Sequence, residues 1–370
     1  MWNSQRESPS PSRRRWPEGP DEGSLTRPSA TLSRGERAHA TTWWLSLTLA
    51  FLCVSTLSAA LLQTAPQVPA PSANEETAFL CPMHPDYTLD VSGKCPRCGM
   101  ALVRAAAYDV RDYRLDFQTI PAVVTAGRKA TLRFKVSHPG FNAVIQKFEV
   151  VHDRQYHLFV ISQDMEYFQH IHPEQLPDGT WTIDLTLPKA GYYKVLSDFL
   201  PAGGSTQFIA RPLVTAGYAG DLAADSAHLT PDTVFKKSVE DITAEVSFDP
   251  PAFVAGLYGH LTFHLTDTGT GRPVTDLQTY LGAFGHTLIM SEDMADYVHS
   301  HPIDISASDE NGPKQFMLPA DVDPEKLRGG PEVTFEGLMP KPGRYRAWTQ
   351  FRRNGKLYTF ATTFNVAVSE

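Results

Sequence analysis

The chain has 370 residues and a formal net charge of −8, so two or three domains are expected, and the acidic balance gives a nucleic-acid partner no electrostatic support. Its 29 prolines and 25 glycines, with many aromatic and β-branched residues, favour an all-β fold over a helical one. With only four cysteines, three of them in one short stretch, the chain has no framework of disulfides.

The first 77 residues carry signals for location. Residues 1–40 are rich in serine, proline and arginine, which predicts a disordered cytoplasmic tail. Residues 41–62 form an uncharged apolar run of 22 residues, long enough for a transmembrane anchor and also compatible with a cleavable secretory signal. The preceding arginines favour a cytoplasmic N terminus, and Trp43 and Trp44 would lie at the membrane interface. Either interpretation places the rest of the chain in the periplasm or at the cell surface, after a Pro- and Ala-rich linker at residues 63–77.

Residues 78–104 concentrate side chains that bind metals. Two residues separate Cys81 from His84, two separate Cys95 from Cys98, and ten lie between the pairs. Such a spacing turns both side chains of a pair toward one point, so two knuckles can close a tetrahedral site. A segment this short cannot bury a core, which predicts a metal that holds it together.

Three chemistries remain open for this segment. Two of the cysteines could form a disulfide and leave an odd thiol. The four residues just named could hold a structural Zn(II). Met83 and Met100 favour a soft ion, chiefly Cu(I) or Ag(I), because thioethers suit Cu(I) and add little to zinc.

The same stretch resembles a known family, the small heavy-metal-binding domain at the ends of some copper and silver efflux adaptors and copper-transporting P-type ATPases. The residues that carry the resemblance are Leu80-Cys81-Pro82-Met83-His84-Pro85 and Gly93-Lys94-Cys95-Pro96-Arg97-Cys98-Gly99-Met100. The resemblance covers about residues 78–104 only. It implies heavy-metal binding through the matching cysteines, His84 and the methionines, and a metal-efflux or metal-transfer protein as partner.

From about residue 110 the apolar pattern alternates with a period of two, which predicts strands, for example at residues 130–136, 156–161 and 180–185. The order of motifs then recurs. Pro121-Ala122 returns as Pro251-Ala252, and Gly191 with Tyr193 returns as Gly343 with Tyr345. We predict two duplicated β-sandwich domains of immunoglobulin or cupredoxin type, repeat one at residues 110–219 and repeat two at residues 240–370.

A histidine and methionine pattern recurs in the middle of both repeats with the identical spacing His-x7-Met-x4-His-x-His-Pro. Its members are His157, Met165, His170 and His172 in repeat one, and His286, Met294, His299 and His301 in repeat two. In a hairpin the first histidine falls opposite the last two, so three imidazoles can converge, with the methionine at the turn. Imidazole suits Cu(II) or Zn(II), and a nearby thioether helps hold Cu(I).

A structural interpretation of this pattern competes with metal binding. The His-x-His-Pro segment could form a hydrogen-bonded corner, and the first histidine of each repeat could be a satisfied core residue. His260 and His264 share one strand face, where a solvated or core role is expected, and His138 and His152 have no partner visible in the sequence.

The sequence contains no nucleophile elbow, phosphate-binding glycine loop or His-Glu-x-x-His motif, so we do not expect an enzyme. We expect a membrane-tethered or exported protein that binds a heavy-metal ion, Cu(I) or Zn(II) and most of all copper, to buffer or transfer it outside the cytoplasm. Two alternatives stay open. One is a scaffold or adhesion protein with a structural zinc knuckle, and the other is a metalloenzyme with a three-histidine site.

Overall fold

The computed structural model describes residues 77–82, 87–89, 91–96, 99–106, 113–140, 142–309, 312–315 and 322–369. The chain divides into two compact units, residues 1–62 and 63–370, and every described residue lies in the second. The predicted tail, the apolar run at residues 41–62 and linker residues 63–76 therefore lie outside the described residues. Within the described ranges, no helix has the length and apolar character needed to cross a bilayer.

Every regular element among the described residues is a β-strand, which confirms the predicted all-β fold. Three short strands form the first sheet, in the order β2-β1-β3 with antiparallel pairing: β1 (Thr77–Leu80), β2 (Thr88–Leu89) and β3 (Val103–Ala106). The first strand begins at the last residue of the predicted linker. The apolar cluster of this sheet has only three fully buried members: Cys81, Cys95 and Leu102.

Repeat one is a sandwich of two four-stranded sheets. The first sheet, in the order β4-β5-β9-β8, is made of β4 (Arg114–Ile120), β5 (Lys129–Ser137), β9 (Thr180–Thr186) and β8 (Glu174–Gln175). The second, in the order β11-β10-β6-β7, is made of β11 (Gln207–Val214), β10 (Tyr192–Phe199), β6 (Tyr156–Ser162) and β7 (Phe168–Ile171). The three strands predicted from alternation fall within β5, β6 and β9.

Repeat two is a larger sandwich with the same plan. Its six-stranded sheet, in the order β12-β13-β15-β20-β18-β19, is made of β12 (Lys236–Val239), β13 (Ile242–Asp249), β15 (Tyr258–Asp267), β20 (Glu332–Leu338), β18 (Pro302–Asp309) and β19 (Gly312–Gln315). Its five-stranded sheet, in the order β14-β22-β21-β16-β17, is made of β14 (Phe253–Val254), β22 (Lys356–Ala367), β21 (Gly343–Arg353), β16 (His286–Ser291) and β17 (Tyr297–Ser300). The strand β12 begins four residues ahead of the predicted boundary.

Each sandwich buries its own core between its two sheets, as alternating strands require. A third apolar cluster joins the repeats, and we call it the inter-repeat cluster. It consists of Phe159, Ile161, Met165, Leu196, Ala227, Leu229, Leu288, Met290, Met294 and Trp348. Its members come from β6, β10 and a hairpin turn of repeat one, from β16, β21 and a hairpin turn of repeat two, and from the segment between the repeats. The two repeats therefore pack against each other, and this contact positions the histidines.

Candidate metal centre

The strand β6 is buried along its whole length because both of its faces are covered. Tyr156, Leu158 and Val160 point into the core of repeat one, whereas Phe159 and Ile161 belong to the inter-repeat cluster. Alternation puts His157 on the same side as these last two, facing repeat two. The residues next to His157 along this strand are large and mostly apolar, which is why His157 resembled a core residue in the sequence.

The three histidines of repeat one converge as their spacing predicted. His157, His170 and His172 each offer a nitrogen within 4.8 Å of the others, and we call them triad one. The Nε2 atom of His170 lies 3.1 Å from Nδ1 of His157, and Nε2 of His172 lies 3.2 Å from the same atom. Their positions follow from the hairpin register, which pairs Phe159 with His170 and Leu158 with Ile171.

The protons of His157 and His170 are directed away from this meeting point. The Nε2–H group of His157 donates to the carbonyl oxygen of Val151 at 2.9 Å, because a carbonyl oxygen can only accept. The Nδ1–H group of His170 donates to Oε1 of Gln350 at 3.2 Å. A neutral imidazole carries one proton, so the two nitrogens that face each other at 3.1 Å both present lone pairs. A cation between them would turn a repulsive contact into two coordinate bonds.

Repeat two reproduces this arrangement. His286, His299 and His301 each offer a nitrogen within 4.8 Å of the others, and we call them triad two. The Nε2–H group of His286 donates to the carbonyl oxygen of Tyr280 at 2.9 Å, as His157 does to Val151. The Nδ1–H group of His299 donates to Oδ2 of Asp198 at 2.9 Å.

The remaining nitrogens of triad two are buried without hydrogen bonds. They are Nδ1 of His286, Nε2 of His299 and both ring nitrogens of His301, and none has a partner among the described residues. His286 and His301 are only 1% and 0% exposed, so bulk solvent does not reach their nitrogens. Unsatisfied polar atoms are rare in protein interiors because each costs roughly 1–3 kcal/mol. Three such side chains in one place therefore fit a site that is completed by an ion.

Each triad is oriented by the other repeat. Gln350 of β21 supports His170, and Asp198 of β10 supports His299. The two supports occupy corresponding positions, since Asp198 pairs with His157 and Gln350 pairs with His286. A second pair of reciprocal hydrogen bonds between the repeats lies nearby: Lys194 donates to the carbonyl oxygen of Met294, and Arg346 donates to that of Met165. The repeats are thus related by an approximate twofold axis, and the six histidines lie near it.

A seventh histidine was missed by sequence reasoning. The ring of His152 stacks on His301 with a centroid distance of 3.4 Å and an interplanar angle of 13°. Its centroid lies 5.7 Å from that of His286 and 6.4 Å from that of His299. His152 is part of repeat one and approaches triad two only because the repeats pack together, so no spacing within a repeat reports it. Asp198 and Gln350 were missed for the same reason.

The surroundings keep five of the triad imidazoles uncharged. Burial, and after it the nearby His299, lower the pKa of His157 from 6.5 to about 4. Burial, followed by the charge of His157, lowers the pKa of His172 to about 3. Burial also lowers the pKa of the more enclosed members, His170, His286 and His301. These rings are neutral at neutral pH, which is the state that binds metals.

The two methionines of the pattern lie at the turn end of each hairpin. Next to the turn, β6 and β7 pair Ile161 with Phe168, and His157 lies four residues along β6, about 13 Å at 3.3 Å per residue. Met165 and Met294 are 0% and 7% exposed and pack in the inter-repeat cluster. Their predicted place at the turn is correct, but the triads form at the opposite end of the hairpins.

The heavy-metal segment is described in part. Cys81 and Cys95 are 0% and 1% exposed and lie in the same small cluster, as a shared site requires. Met100 is partly buried against this cluster. Gly99 has a φ of 73°, and its N–H group donates a hydrogen bond to the carbonyl oxygen of Cys95, which closes the knuckle. The other predicted ligands, Met83, His84 and Cys98, lie outside the described residues.

Both repeats match one known protein family. Residues 108–214 and 237–368 match the family described as domain of unknown function DUF8832, and together they cover more than half of the 370 residues. The chain belongs to this family. Each of its two DUF8832 stretches contains one complete histidine triad. Residues 79–105 match the heavy metal binding domain, which supports a heavy-metal-binding segment where the sequence predicted one.

Several solved structures match this chain at low identity and low TM-score. Invasin, a bacterial integrin-binding protein, is 12% identical with a TM-score of 0.21, over 69% of this chain and 40% of its own. InvD of Yersinia pseudotuberculosis is 11% identical with a TM-score of 0.20, over 69% of this chain and 58% of its own. Two fibronectin type-III domains of chicken tenascin are 10% identical with a TM-score of 0.20, over 69% of this chain and 100% of theirs. This DUF8832 chain spans less than two thirds of either bacterial protein, and a search of curated proteins gives no match.

Proposed function

We propose that this protein binds copper ions outside the cytoplasm, holds them in the two histidine triads, and buffers them or passes them to a metal-efflux or metal-transfer protein. The observation that carries the proposal is the pair of lone pairs that face each other at 3.1 Å in triad one, each fixed by a hydrogen bond on the far side of its ring. The unpaired buried nitrogens of triad two support the same conclusion.

Copper fits the donor set better than the other divalent ions. Neutral imidazoles bind zinc and copper, and affinity for nitrogen ligands rises to a maximum at Cu(II) in the first-row series. Three neutral rings without a carboxylate ligand also suit the low charge of Cu(I). The heavy-metal segment supplies thiolates at Cys81 and Cys95, which select Cu(I), zinc and related soft ions. One ion that suits both kinds of site is copper.

The proposed location depends on the sequence ahead of the described residues. Residues 41–62 would anchor the chain in a membrane or direct its export, and the heavy-metal segment would follow close to the membrane. The metal sites would then face the periplasm or the cell surface. In this arrangement the thiolate segment collects copper near an efflux or transfer partner, and the triads store it.

The test is the copper content of the purified chain and of three variants. We expect wild-type protein to bind two copper ions in addition to any in the heavy-metal segment. Changing His157, His170 and His172 together to Ala removes one ion, and the equivalent change in triad two removes the other. The matched control changes His260 and His264 to Ala, because these histidines lie on β15 and pair with Glu336 and Glu332 at 3.6 and 3.1 Å.

Mass spectrometry of the metal and direct titration with Cu(I) under anaerobic conditions give the stoichiometry. The control variant keeps both ions if the triads are the sites. Equal copper content in the wild type and both triad variants would overturn the proposal. Binding of zinc at one ion per chain, lost only when Cys81 and Cys95 become Ser, would instead favour a scaffold with a structural zinc knuckle.

A further inference from the structure

The two triads are neighbours across the interface between the repeats. The ring centroid of His157 in triad one lies 5.6 Å from that of His299 in triad two. The centroid of His170 lies 5.8 Å from that of His299 and 6.0 Å from that of His286. The longest centroid distance within a triad, between His286 and His299, is also 6.0 Å. The six rings therefore form one continuous cluster.

The hydrogen bonds that orient the second histidine of each triad produce this closeness. Asp198, which accepts the proton of His299, is paired with His157 on the neighbouring strand. Gln350 plays the same part for the second histidine of triad one, because it is paired with the first histidine of triad two. The second histidine of each triad thus reaches across the interface toward the first histidine of the other triad.

The ring distances set an upper limit on the separation of two bound ions. An ion about 2 Å from an imidazole nitrogen lies roughly 3 Å from the centroid of that ring. The rings of His157 and His299 are 5.6 Å apart, so an ion on each is at most about 12 Å from the other. Any arrangement in which the ions are not on the outer sides of these rings brings them closer together.

Two ions in this cluster would share one enclosed interior. Four of the six rings are at most 6% exposed: His157, His170, His286 and His301. Bulk water and salt therefore do little to screen one ion from the other. With an effective dielectric constant of about 20, two unit charges about 12 Å apart repel enough to weaken the binding of the second ion roughly tenfold. A shorter separation increases this effect.

Ordering of the rings by the first ion does not compensate for the repulsion. The first two histidines of each triad are already held by the protein, through hydrogen bonds to Val151 and Gln350 in triad one and to Tyr280 and Asp198 in triad two. The cost of fixing these rings is thus met by folding and not by the first ion. The second ion gains little from its neighbour and experiences its charge.

We propose that the two triads form a single dinuclear copper centre, in which the ions lie within about 12 Å of each other and each weakens the binding of the other. This inference rests on the proposed function, since both triads must bind copper. The first ion then stays bound at low copper concentrations, whereas the second is taken up and released at higher ones. Such a centre buffers copper over a wider range of concentrations than two independent sites of equal affinity.

The first test is electron paramagnetic resonance of the full chain loaded with Cu(II). Cys81→Ser, Cys95→Ser and Cys98→Ser in all samples remove the thiolates of the heavy-metal segment. With one equivalent we expect the spectrum of isolated ions. With two we expect dipolar splitting from a separation of at most about 12 Å, or loss of signal where a shared ligand couples the spins.

The matched control for the resonance experiment is the variant with His260→Ala and His264→Ala. These histidines lie on β15 and outside both triads, so the interaction between the spins should persist in this variant. Loss of the interaction in the control would assign the second ion to β15 and overturn the dinuclear centre.

The second test is a competition titration with Cu(I) against a chromophoric Cu(I) chelator, without oxygen. Its samples are the cysteine-free chain and two versions of it in which the three histidines of one triad are Ala. The second ion of the chain with both triads should bind at least about tenfold more weakly than the single ion of either version. Circular dichroism identifies a version that does not fold, and the resonance experiment needs neither of them.

The outcomes separate this inference from the function on which it rests. Spectra that simply add, or a separation above the upper limit, would overturn the dinuclear centre and leave copper binding intact. A second ion bound as tightly as the ion of the single-triad versions would overturn the repulsion between the sites. A chain that takes up no copper once the cysteines are changed would overturn the proposed function itself.

Discussion

At the scale of single residues, the orientation of each imidazole decides its chemistry. The carbonyl oxygens of Val151 and Tyr280 accept the Nε2 protons of His157 and His286, which forces the Nδ1 lone pairs inward. Val151 directly precedes His152, and Tyr280 directly precedes Leu281. His152 and Leu281 both have positive φ values. The same loops thus fix the first histidine of each triad.

We expect the metal-free protein to lose stability as the pH falls below 6.5. The pKa of His157 is about 4 in the folded chain against 6.5 when exposed, and that of His172 is about 3, in both cases mainly because of burial. A lowered folded pKa favours the neutral form, so the stability is fully present above pH 6.5 and is lost as the pH falls toward 4. Thermal midpoints of copper-free protein at pH 7.5, 6.5, 5.5 and 4.5 measure this.

The control for this pH dependence is the protein with His157 and His172 changed to Gln, which removes two of the titrating rings. Its midpoint should fall less steeply between pH 6.5 and 4.5 than that of the wild type. Parallel pH curves for the two proteins would show that the burial of these rings does not govern acid sensitivity.

At the scale of elements, each β-hairpin has a packing residue at its turn and its candidate metal-binding histidines at the other end. The turn between β6 and β7 is closed by Ser162 and Asp164, and that between β16 and β17 by Ser291 and Asp293. The methionines at these turns pack against the opposite repeat, whereas the far ends of the hairpins hold the histidines. The spacing that the two repeats share thus reports two different roles.

Changing Met165 and Met294 to Leu should leave the copper stoichiometry unchanged. Leucine has a similar volume and no sulfur, so the inter-repeat cluster remains filled at a cost below about 1.5 kcal/mol per site. Metal analysis and chemical denaturation measure the two effects. His170→Ala serves as the comparison, because it should remove copper from triad one. Loss of copper in the methionine variant would make the thioethers ligands after all.

The sequence predicted these elements better than it predicted their assembly. Alternation identifies β5 and β9 because one face of each is apolar, and the duplicated spacing identifies both triads. The face that β6 and β10 turn toward repeat two mixes apolar side chains with polar ones, and nothing in a period of two states what covers it. His152, Asp198 and Gln350 therefore remained invisible, although the mismatch of His152 with Leu281 in the two repeats was a usable signal.

At the scale of the whole molecule, one interface supports both the fold and the site. Trp348 of repeat two stacks on Phe168 of repeat one with a centroid distance of 4.9 Å and an angle of 4°. The inter-repeat cluster lies beside the histidines, so apolar burial holds the imidazoles of both repeats in place without the ion. This arrangement predicts that packing and copper stabilise the same contact.

Changing Trp348 to Ala should destabilise the copper-free protein by about 3–5 kcal/mol, the usual cost of removing a buried aromatic side chain. Saturating copper should raise the thermal midpoint of both proteins. The free energy of unfolding should rise by roughly 2.7 kcal/mol per site at a free copper concentration a hundred times the dissociation constant. Scanning calorimetry measures both effects. Leu257→Ala is the control, because Leu257 is 57% exposed and should change stability by less than about 0.5 kcal/mol. An unchanged midpoint with copper in the wild type would contradict this coupling.

The heavy-metal segment should depend on its own ion and not on the sandwiches. Its sheet buries few apolar groups, and a side-chain hydrogen bond from Thr206 to the carbonyl oxygen of Pro82 joins it to repeat one. In the Cys81→Ser, Cys95→Ser variant, hydrogen exchange of residues 77–106 should speed up by at least tenfold, while β5 and β15 remain protected. Retained protection of β1 and β3 in this variant would show that the sheet stands without metal.

The approximate twofold axis between the repeats has a consequence for how such a site can be tuned. Two separate copies of a single repeat that associated in the same way would carry every substitution on both sides of the axis, so an acid behind one ion would also appear behind the other. A single polypeptide that contains both halves escapes this restriction. Asp198 opposite Gln350 and His152 opposite Leu281 are differences that two identical halves could not carry.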